Sequence, residues 1–146
     1  MKEKLLISSC LYGLNTKYSG GNNKISKIKE LEEKYELILA CPEVLGGLST
    51  PRDPSEQMKD KVFSNKGLDV TDNFNLGASK TLEIIKKHKI KKALLKESSP
   101  SCGSNLIYDG TFSGTKINGL GVTAKLLKEN GITIYNENEI DLLLEV

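Results

Sequence analysis

Residues 5–10 read Leu-Leu-Ile-Ser-Ser-Cys, an apolar run of strand length that ends in two serines and a cysteine. Similar short apolar runs occur at residues 37–40 before Cys41, at 93–95 before the loop 98–103, and at 131–135. Apolar runs without alternation are typical of strands in a parallel sheet, because both faces of such a sheet are covered. The four runs therefore predict four short, buried strands.

Helical periodicity occupies the segments between these runs. Apolar residues recur at helical spacing in residues 25–34, 70–88 and 122–130, and residues 140–144 are predicted to form a last short helix. Thr71 is the expected N-cap of the second helix, and Asn130-Gly131 is the expected stop of the third. Alternation of strands and helices predicts an α/β fold, a single-domain, Rossmann-like three-layer sandwich over residues 1–146 with a mostly parallel sheet and helices on both faces.

The composition excludes several classes of protein. The 146 residues include 21 Lys and Arg against 19 Asp and Glu, a net charge of +2, and the lysines are scattered. Binding to polymeric nucleic acid or to a membrane is therefore not expected, and no stretch approaches the ~20 apolar residues of a membrane span. Three cysteines are an odd number, which does not suit a disulfide framework. We expect a cytoplasmic protein whose cysteines are either ligands or core residues.

The cysteines are predicted to converge at one edge of the sheet. Cys10, Cys41 and Cys102 each lie in a loop at the carboxyl end of a predicted strand, which is where open α/β sheets bind their ligands. Three thiolates without a fourth protein ligand suit an iron–sulfur cluster, or a zinc ion that also binds water. His88, the only histidine, is predicted to lie on the surface near the end of a helix.

Four stretches of the chain then carry a family resemblance. They are SCLYG at 9–13 with YSGG at 18–21, CPEVLGGLSTPR at 41–52, KESSPSCG at 96–103 and IYDGTFSG at 107–114. In this order they closely resemble the thiouracil desulfidase family, long known as a bacterial and archaeal domain of unknown function. The resemblance implies an oxygen-sensitive enzyme with a [4Fe–4S] cluster in which one iron has no protein ligand. It further implies non-redox removal of sulfur from a small thiolated pyrimidine, such as 4-thiouracil or 4-thio-UMP, as hydrogen sulfide.

The resemblance also implies roles for individual residues. Cys10, Cys41 and Cys102 resemble the three cluster ligands. Glu43 resembles the catalytic acid and base, and Ser101 resembles a catalytic residue that positions the substrate, a task for which Ser99 is the less suited candidate. These roles are chemically consistent, since a soft thiocarbonyl sulfur suits an open iron and the attacking water needs a base.

Two long segments without periodicity, 42–68 and 98–119, contain the remaining candidates for substrate binding. Arg52, the only arginine, either receives the phosphate of a nucleotide substrate or forms a surface salt bridge. Tyr108 and Phe112 flank an Asp-Gly turn, and their rings either stack on a pyrimidine or only accompany the turn.

Two other functions stay open at this point. One is a non-catalytic iron–sulfur or zinc-binding sensor module that acts through a partner. The other is a small nucleotide-binding protein whose cysteines belong to the core, since free cysteine is among the most buried residue types.

Overall fold

A computed structural model describes residues 2–145. The strands are β1 (Glu3–Ser8), β2 (Tyr35–Ala40), β3 (Ser55–Met58), β4 (Lys61–Ser64), β5 (Lys92–Leu95), β6 (Leu106–Tyr108), β7 (Lys116–Asn118) and β8 (Thr133–Asn136). The helices are α1 (Ser9–Tyr12), α2 (Ile28–Lys34), α3 (Pro42–Leu45), α4 (Thr71–His88), α5 (Val122–Glu129) and α6 (Ile140–Glu145). The four predicted strands correspond to β1, β2, β5 and β8.

These four strands form one parallel sheet in the order β2-β1-β5-β8. Strand β1 lies inside the sheet, where Ile7 is in register with Leu39 of β2 and with Leu94 of β5. Because β1, β2 and β5 run in the same direction, their carboxyl ends meet at one edge. That edge carries the three cysteines, although Cys10, predicted to lie in a loop, is in the short helix α1 that directly follows β1.

Both faces of the sheet are covered, as predicted. Successive side chains of β1 alternate between the two faces. On one face Leu5 and Ile7 belong to a core that α2 and α6 complete, and on the other face Leu6 packs in a second core with α4 and α5. The three-layer α/β architecture predicted from the sequence is therefore confirmed.

The predicted N-cap of α4 was wrong. Val70 is the N-cap and makes no side-chain cap hydrogen bond, while Thr71 is already inside the helix. The Thr71 hydroxyl accepts the Val62 N–H of β4 at 2.9 Å, and Asp69 Oδ1 accepts the Thr71 N–H at 2.9 Å. The Thr71 hydroxyl, predicted to cap α4, thus forms a hydrogen bond with β4 instead. At the end of α5 the predicted stop is present, since Gly131 has a φ of +82°.

The two segments without periodicity contain structure that the sequence pattern did not predict. Segment 42–68 holds α3 and the antiparallel hairpin of β3 and β4, and segment 98–119 holds the hairpin of β6 and β7. These strands have only three or four residues; β3, β4 and β7 mix polar and apolar side chains, and the run Leu-Ile-Tyr of β6 is only three residues long. Within residues 2–145 no helix is long and apolar enough to cross a membrane.

Candidate functional site

A cavity of about 410 Å³ lies at the carboxyl ends of β1, β2 and β5, and all three cysteines line it. Cys10 lies in α1, Cys41 directly follows β2, and Cys102 lies in the loop after β5. The predicted convergence of the cysteines is thus present. In the described part of the chain no three His, Cys, Asp or Glu side chains are grouped closely enough to hold one metal ion. The sulfurs border a common space and do not surround a single point.

Each sulfur has one polar partner. Asn23 Nδ2 donates to Cys10 Sγ at 3.5 Å, the Cys41 thiol donates to the Thr16 carbonyl at 3.8 Å, and Ser8 Oγ donates to Cys102 Sγ at 3.6 Å. Hydrogen bonds from protein groups to ligand sulfurs are a common feature of iron–sulfur sites. The sulfurs of Cys10 and Cys102 accept such a bond, and three thiols around a small-molecule-sized cavity fit an iron–sulfur cluster.

Burial raises the pKa of two of the thiols. The pKa of Cys102 lies far above its ordinary value of 9.0, mainly because of burial, and the hydrogen bond from Ser8 opposes the shift only in part. Burial also raises the pKa of Cys10, against the hydrogen bond from Asn23. A metal that binds here must therefore displace protons from these thiols.

Glu43 and Arg52 form a buried ion pair at the wall of this cavity. Arg52 Nε donates to Glu43 Oε1 at 3.0 Å, and the two side chains are only 8% and 15% exposed, respectively. Three more acceptors surround the guanidinium: the Ser49 carbonyl and Thr50 Oγ1 at Nη1, and the Thr16 carbonyl at Nη2, at 3.0–3.2 Å.

This arrangement corrects the prediction for Arg52. Four of the five N–H groups of the guanidinium are used inside the protein, which leaves one for any ligand. A bidentate contact with a phosphate needs two. The salt bridge predicted as the alternative is present, but it is buried and directed at Glu43.

A close approach of two helices fixes the position of Glu43. Helix α3 packs with its backbone directly on α4, since a Cβ at Gly46 would lie 2.0 Å from the Asn73 carbonyl oxygen. A Cβ at Gly77 of α4 would lie 1.9 Å from the Pro42 carbonyl oxygen. Only glycine fits at both positions. The two glycines therefore bring the first turn of α3, with Glu43, against a long helix that holds it in place.

The two candidate serines are arranged differently from the prediction. Ser99 lines the cavity, and Ser101 does not. Ser101 is 1% exposed and its hydroxyl shares a hydrogen bond of 2.8 Å with Thr123 of α5. Ser99 Oγ accepts the backbone N–H groups of Ser101 and Cys102, each at 3.1 Å. The placement supports Ser99, and not Ser101, as a residue that contacts substrate.

The two candidate aromatic residues are separated as well. Tyr108 lines the cavity, whereas Phe112 does not and is 38% exposed. Glu56 holds the turn between β6 and β7, because its Oε1 accepts the N–H groups of Gly110 and Phe112 at 3.0 and 3.2 Å. Stacking of Phe112 on a substrate in this cavity is therefore not supported by its position.

Sequence reasoning missed four charged residues that line the cavity. They are Lys17, Glu56, Lys96 and Glu97, and with Glu43 and Arg52 they give three carboxylates and three cations. Lys96 Nζ pairs with Glu137 Oε2 at 2.8 Å. The position of Lys96-Glu97 directly after β5 was the available signal, since residues at that edge of the sheet face the site. His88, predicted to lie on the surface, ends α4 half-buried and does not line the cavity.

Comparisons with known proteins give one consistent result. Residues 5–139 match the model of a family described as 2-thiouracil desulfurase. The uncharacterized protein YbbK of Bacillus subtilis (strain 168) is 44% identical over 150 residues, which cover 96% of this chain and 99% of YbbK. A solved structure of a [4Fe-4S]-dependent thiouracil desulfidase, TudS, matches with a TM-score of 0.93 and 41% identity, over 97% of this chain and 95% of that one.

Proposed function

Because the chain belongs to the 2-thiouracil desulfurase family, we propose that it replaces the thiocarbonyl sulfur of a thiolated pyrimidine by oxygen and releases hydrogen sulfide. The single observation that carries this proposal is the cavity at the sheet edge, which three cysteine thiols and Glu43 line together. No oxidant or reductant is required, since a C=S group and water have the same atoms as a C=O group and hydrogen sulfide.

Cys10, Cys41 and Cys102 are the residues proposed to hold a [4Fe–4S] cluster. The donor set supports this, since soft thiolates select iron–sulfur clusters and no fourth cysteine lines the cavity. Bound there, the cluster would supply a soft Lewis acid for the thiocarbonyl sulfur at an iron without a protein ligand. Three free thiols also favour a reducing compartment, so the cytoplasm is the proposed location.

Glu43 is proposed as the general base and acid. Its Oε1 is held by Arg52, whereas the hydrogen bonds among residues 2–145 leave Oε2 without a donor. Oε2 therefore can accept a proton from the attacking water, and it returns this proton to the departing sulfur. Arg52 does not touch the substrate in this scheme; it orients the carboxylate.

Ser99 and Tyr108 are proposed to contact the pyrimidine. Both line the cavity, and Tyr108 offers an aromatic face on which a pyrimidine can stack. If the substrate is a nucleotide, Lys17 is the cation proposed for its phosphate. Lys17 lines the cavity and forms no ion pair with any residue of the described range 2–145, unlike Arg52 and Lys96.

The test starts with protein purified without oxygen. We expect about four iron and four labile sulfide per chain, and release of sulfide from at least one of 4-thiouracil, 4-thiouridine and 4-thio-UMP. Lys17→Ala is expected to lower kcat/KM for 4-thio-UMP more than for the free base. A chain that holds the cluster but releases no sulfide from any of the three would instead be a non-catalytic iron–sulfur module.

The role of Glu43 has its own comparison within the same cavity. Glu43→Gln should lower kcat by about 100-fold or more, the range for loss of a general base. Glu56→Gln is the matched variant, because Glu56 also lines the cavity but uses its Oε1 to hold a turn. A larger loss of kcat in Glu56→Gln than in Glu43→Gln would transfer the catalytic role to Glu56.

A further inference from the structure

The carboxylate of Glu97 is the most heavily hydrogen-bonded group near the cavity, and nothing in the catalytic scheme uses it. Oε1 accepts the backbone N–H groups of Ser98, Ser104, Asn105 and Leu106, and Oε2 accepts Ser104 Oγ, Asn105 Nδ2 and Asn136 Nδ2, at 2.8–3.4 Å. A carboxylate offers about four lone-pair sites. Glu97 therefore has no capacity left for water or substrate, although it lines the cavity.

The donors to Glu97 come from both ends of one loop. Ser98 lies near the start of the segment 96–105 between β5 and β6, Ser104 lies near its end, and Leu106 is the first residue of β6. Cys102 and Ser99 lie between these ends. The contact with Asn136, which is 3% exposed, ties the same carboxylate to β8 of the central sheet. A single charged group thus closes the loop and anchors it to the sheet.

Closure around Glu97 also stabilises an unusual backbone conformation. Ser98 has a φ of +64°, which is rare for a residue with a side chain, and its N–H points to Glu97 Oε1 at 2.9 Å. Successive N–H groups that converge on one anion form an anion-binding nest. Here the anion belongs to the protein itself.

We propose that Glu97 is a positioning residue that holds Cys102 in place before any metal binds. The inference rests on the proposed role of Cys102 as a cluster ligand, but its geometry is independent of that role. A loop held closed by Glu97 keeps the Cys102 thiol buried and directed at the cavity, where Ser8 reaches its sulfur. Without this closure the loop gains conformational freedom, and metal binding must then supply the free energy that orders it.

Glu97→Gln is the informative change, because it keeps the size of the side chain. Glutamine carries no charge, and its NH₂ group is a donor that accepts no hydrogen bond. Wherever that NH₂ group lies, it faces donors: three side-chain groups at the position of Oε2, or four backbone N–H groups at Oε1. Glu97→Asp keeps the charge on a shorter side chain and should retain part of the closure.

The test measures alkylation of the three thiols in the metal-free chain, under reducing and non-denaturing conditions, with iodoacetamide and peptide mass spectrometry. Cys10 and Cys41 are half-buried and serve as references in the same molecule, whereas Cys102 is 5% exposed. We expect Glu97→Gln to speed alkylation of Cys102 about tenfold relative to Cys10, through local opening of the loop. Glu97→Asp should fall between this variant and the parent.

Asp109→Asn is the matched control. Asp109 also accepts a backbone N–H, that of Thr111, but in the turn between β6 and β7. This variant should leave the ratio of Cys102 to Cys10 alkylation unchanged. After anaerobic reconstitution, Glu97→Gln should also lose iron to a chelator faster than Asp109→Asn does.

Two results would overturn the inference. One is an unchanged alkylation ratio in a folded Glu97→Gln or Glu97→Asp variant, and the other is equal acceleration of all three thiols, which would indicate general unfolding. Failure of the proposed function has a different signature. In that case the parent takes up no iron after reconstitution, while the protection of Cys102 still depends on Glu97.

Discussion

Replacement of Arg52 by methionine is the sharpest stability test of the site. Methionine is of similar length and removes the cation, while Glu43 stays where α3 places it, with its side chain only 15% exposed. The change therefore leaves a buried carboxylate without its counter-charge. It also removes the guanidinium donors of the Ser49 carbonyl and the Thr50 hydroxyl, and it leaves the Thr16 carbonyl with only the Cys41 thiol, at 3.8 Å, as a donor.

The expected loss of unfolding free energy is large. Breaking a buried ion pair by removal of one partner costs about 3–5 kcal/mol. Each lost hydrogen bond from the charged guanidinium adds about 1.5–3 kcal/mol, less where water reaches the freed acceptor. We expect Arg52→Met to cost about 4 kcal/mol or more, a substantial part of the roughly 5–15 kcal/mol that stabilises a domain.

A double-mutant cycle separates the ion pair from the other contacts. In Glu43→Gln/Arg52→Met no charge is left buried, so the double variant should be more stable than the sum of the single losses predicts. The expected coupling is about 2 kcal/mol, within the range for residues in one network. Lys66→Met is the matched control, because Lys66 pairs with Asp53 at 3.5 Å but is 76% exposed. It should cost less than about 1 kcal/mol.

The assay is urea unfolding of the metal-free proteins without oxygen and with a reductant, so that metal binding adds nothing to stability. Equal m-values across the variants would show that only stability has changed. An Arg52→Met variant as stable as Lys66→Met, or a coupling near zero, would refute the view that Arg52 acts inside the protein on Glu43. Arg52 would then again be a candidate for binding substrate.

Three further predictions concern groups around the cavity. Ser99→Ala should lower kcat/KM about tenfold or more, as loss of a substrate hydrogen bond does. Ser101→Ala should instead mainly lower the free energy of unfolding, by about 1 kcal/mol. Steady-state kinetics and urea unfolding of both variants check this, and equal losses of kcat/KM in the two variants would contradict it. Ser8→Ala removes the hydrogen bond to Cys102 Sγ. It should lower the midpoint potential of the reconstituted cluster, because such bonds favour the more negative, reduced state. An unchanged potential in a redox titration would argue against the contact. Burial raises the pKa of Glu97, but backbone N–H donors outweigh this effect and hold the pKa below 4.5. The extra stability of the parent over Glu97→Gln should therefore be complete above pH 4.5 and disappear as the pH falls through that lower pKa. A difference in unfolding free energy that stays constant down to pH 3 would contradict this.

Most of the fold was predictable from the sequence, because the strands of the central sheet are visible as apolar runs. Parallel strands covered on both faces are apolar over much of their length, and all four runs correspond to strands of the sheet. The hairpins of β3 with β4 and of β6 with β7 have no such constraint. They pair over only three or four residues, and contacts with distant parts of the chain hold them in place, such as those of Gln57 Nε2 with the carbonyls of Pro100 and Leu120.

The membership of the family was also predictable, since four strings of residues carried it and the family match over residues 5–139 confirms it. Convergence of the cysteines was predicted from the position of each one after a predicted strand, with separate core cysteines as the alternative. What the sequence pattern did not resolve was the direction of individual side chains. Ser99 and Ser101 are two residues apart and chemically identical, and only the packing of α5 against the loop turns one toward Thr123 and leaves the other at the cavity.

That packing has an identifiable cause in the backbone. Gly121 begins α5 so close to the loop that a Cβ there would lie 2.4 Å from the carbonyl carbon of Ser101. The N–H groups of Thr123 and Ala124 in the first turn of α5 donate to the Ser101 carbonyl. Ser101 is thus a contact between a helix and the cysteine loop, which explains why a polar residue stands there without facing the site.

The charged residues at the cavity form two groups, which differ in how much of their hydrogen-bonding capacity is already used by protein partners. Arg52 and Glu97 are almost or wholly saturated by protein partners, so each can orient its neighbours but has little to offer a substrate. Glu43 Oε2 and the Lys17 ammonium have spare capacity within the described structure, and they are the groups to which a proton or a phosphate can go. Sequence reasoning identified Glu43 and Arg52 as candidates and missed Lys17 and Glu97, and it did not separate groups that orient from groups that bind. Hydrogen-bond capacity does separate them. It predicts that substitution of Arg52 or Glu97 changes stability and metal retention more than substrate affinity. Substitution of Lys17 should change substrate affinity more than stability or metal retention.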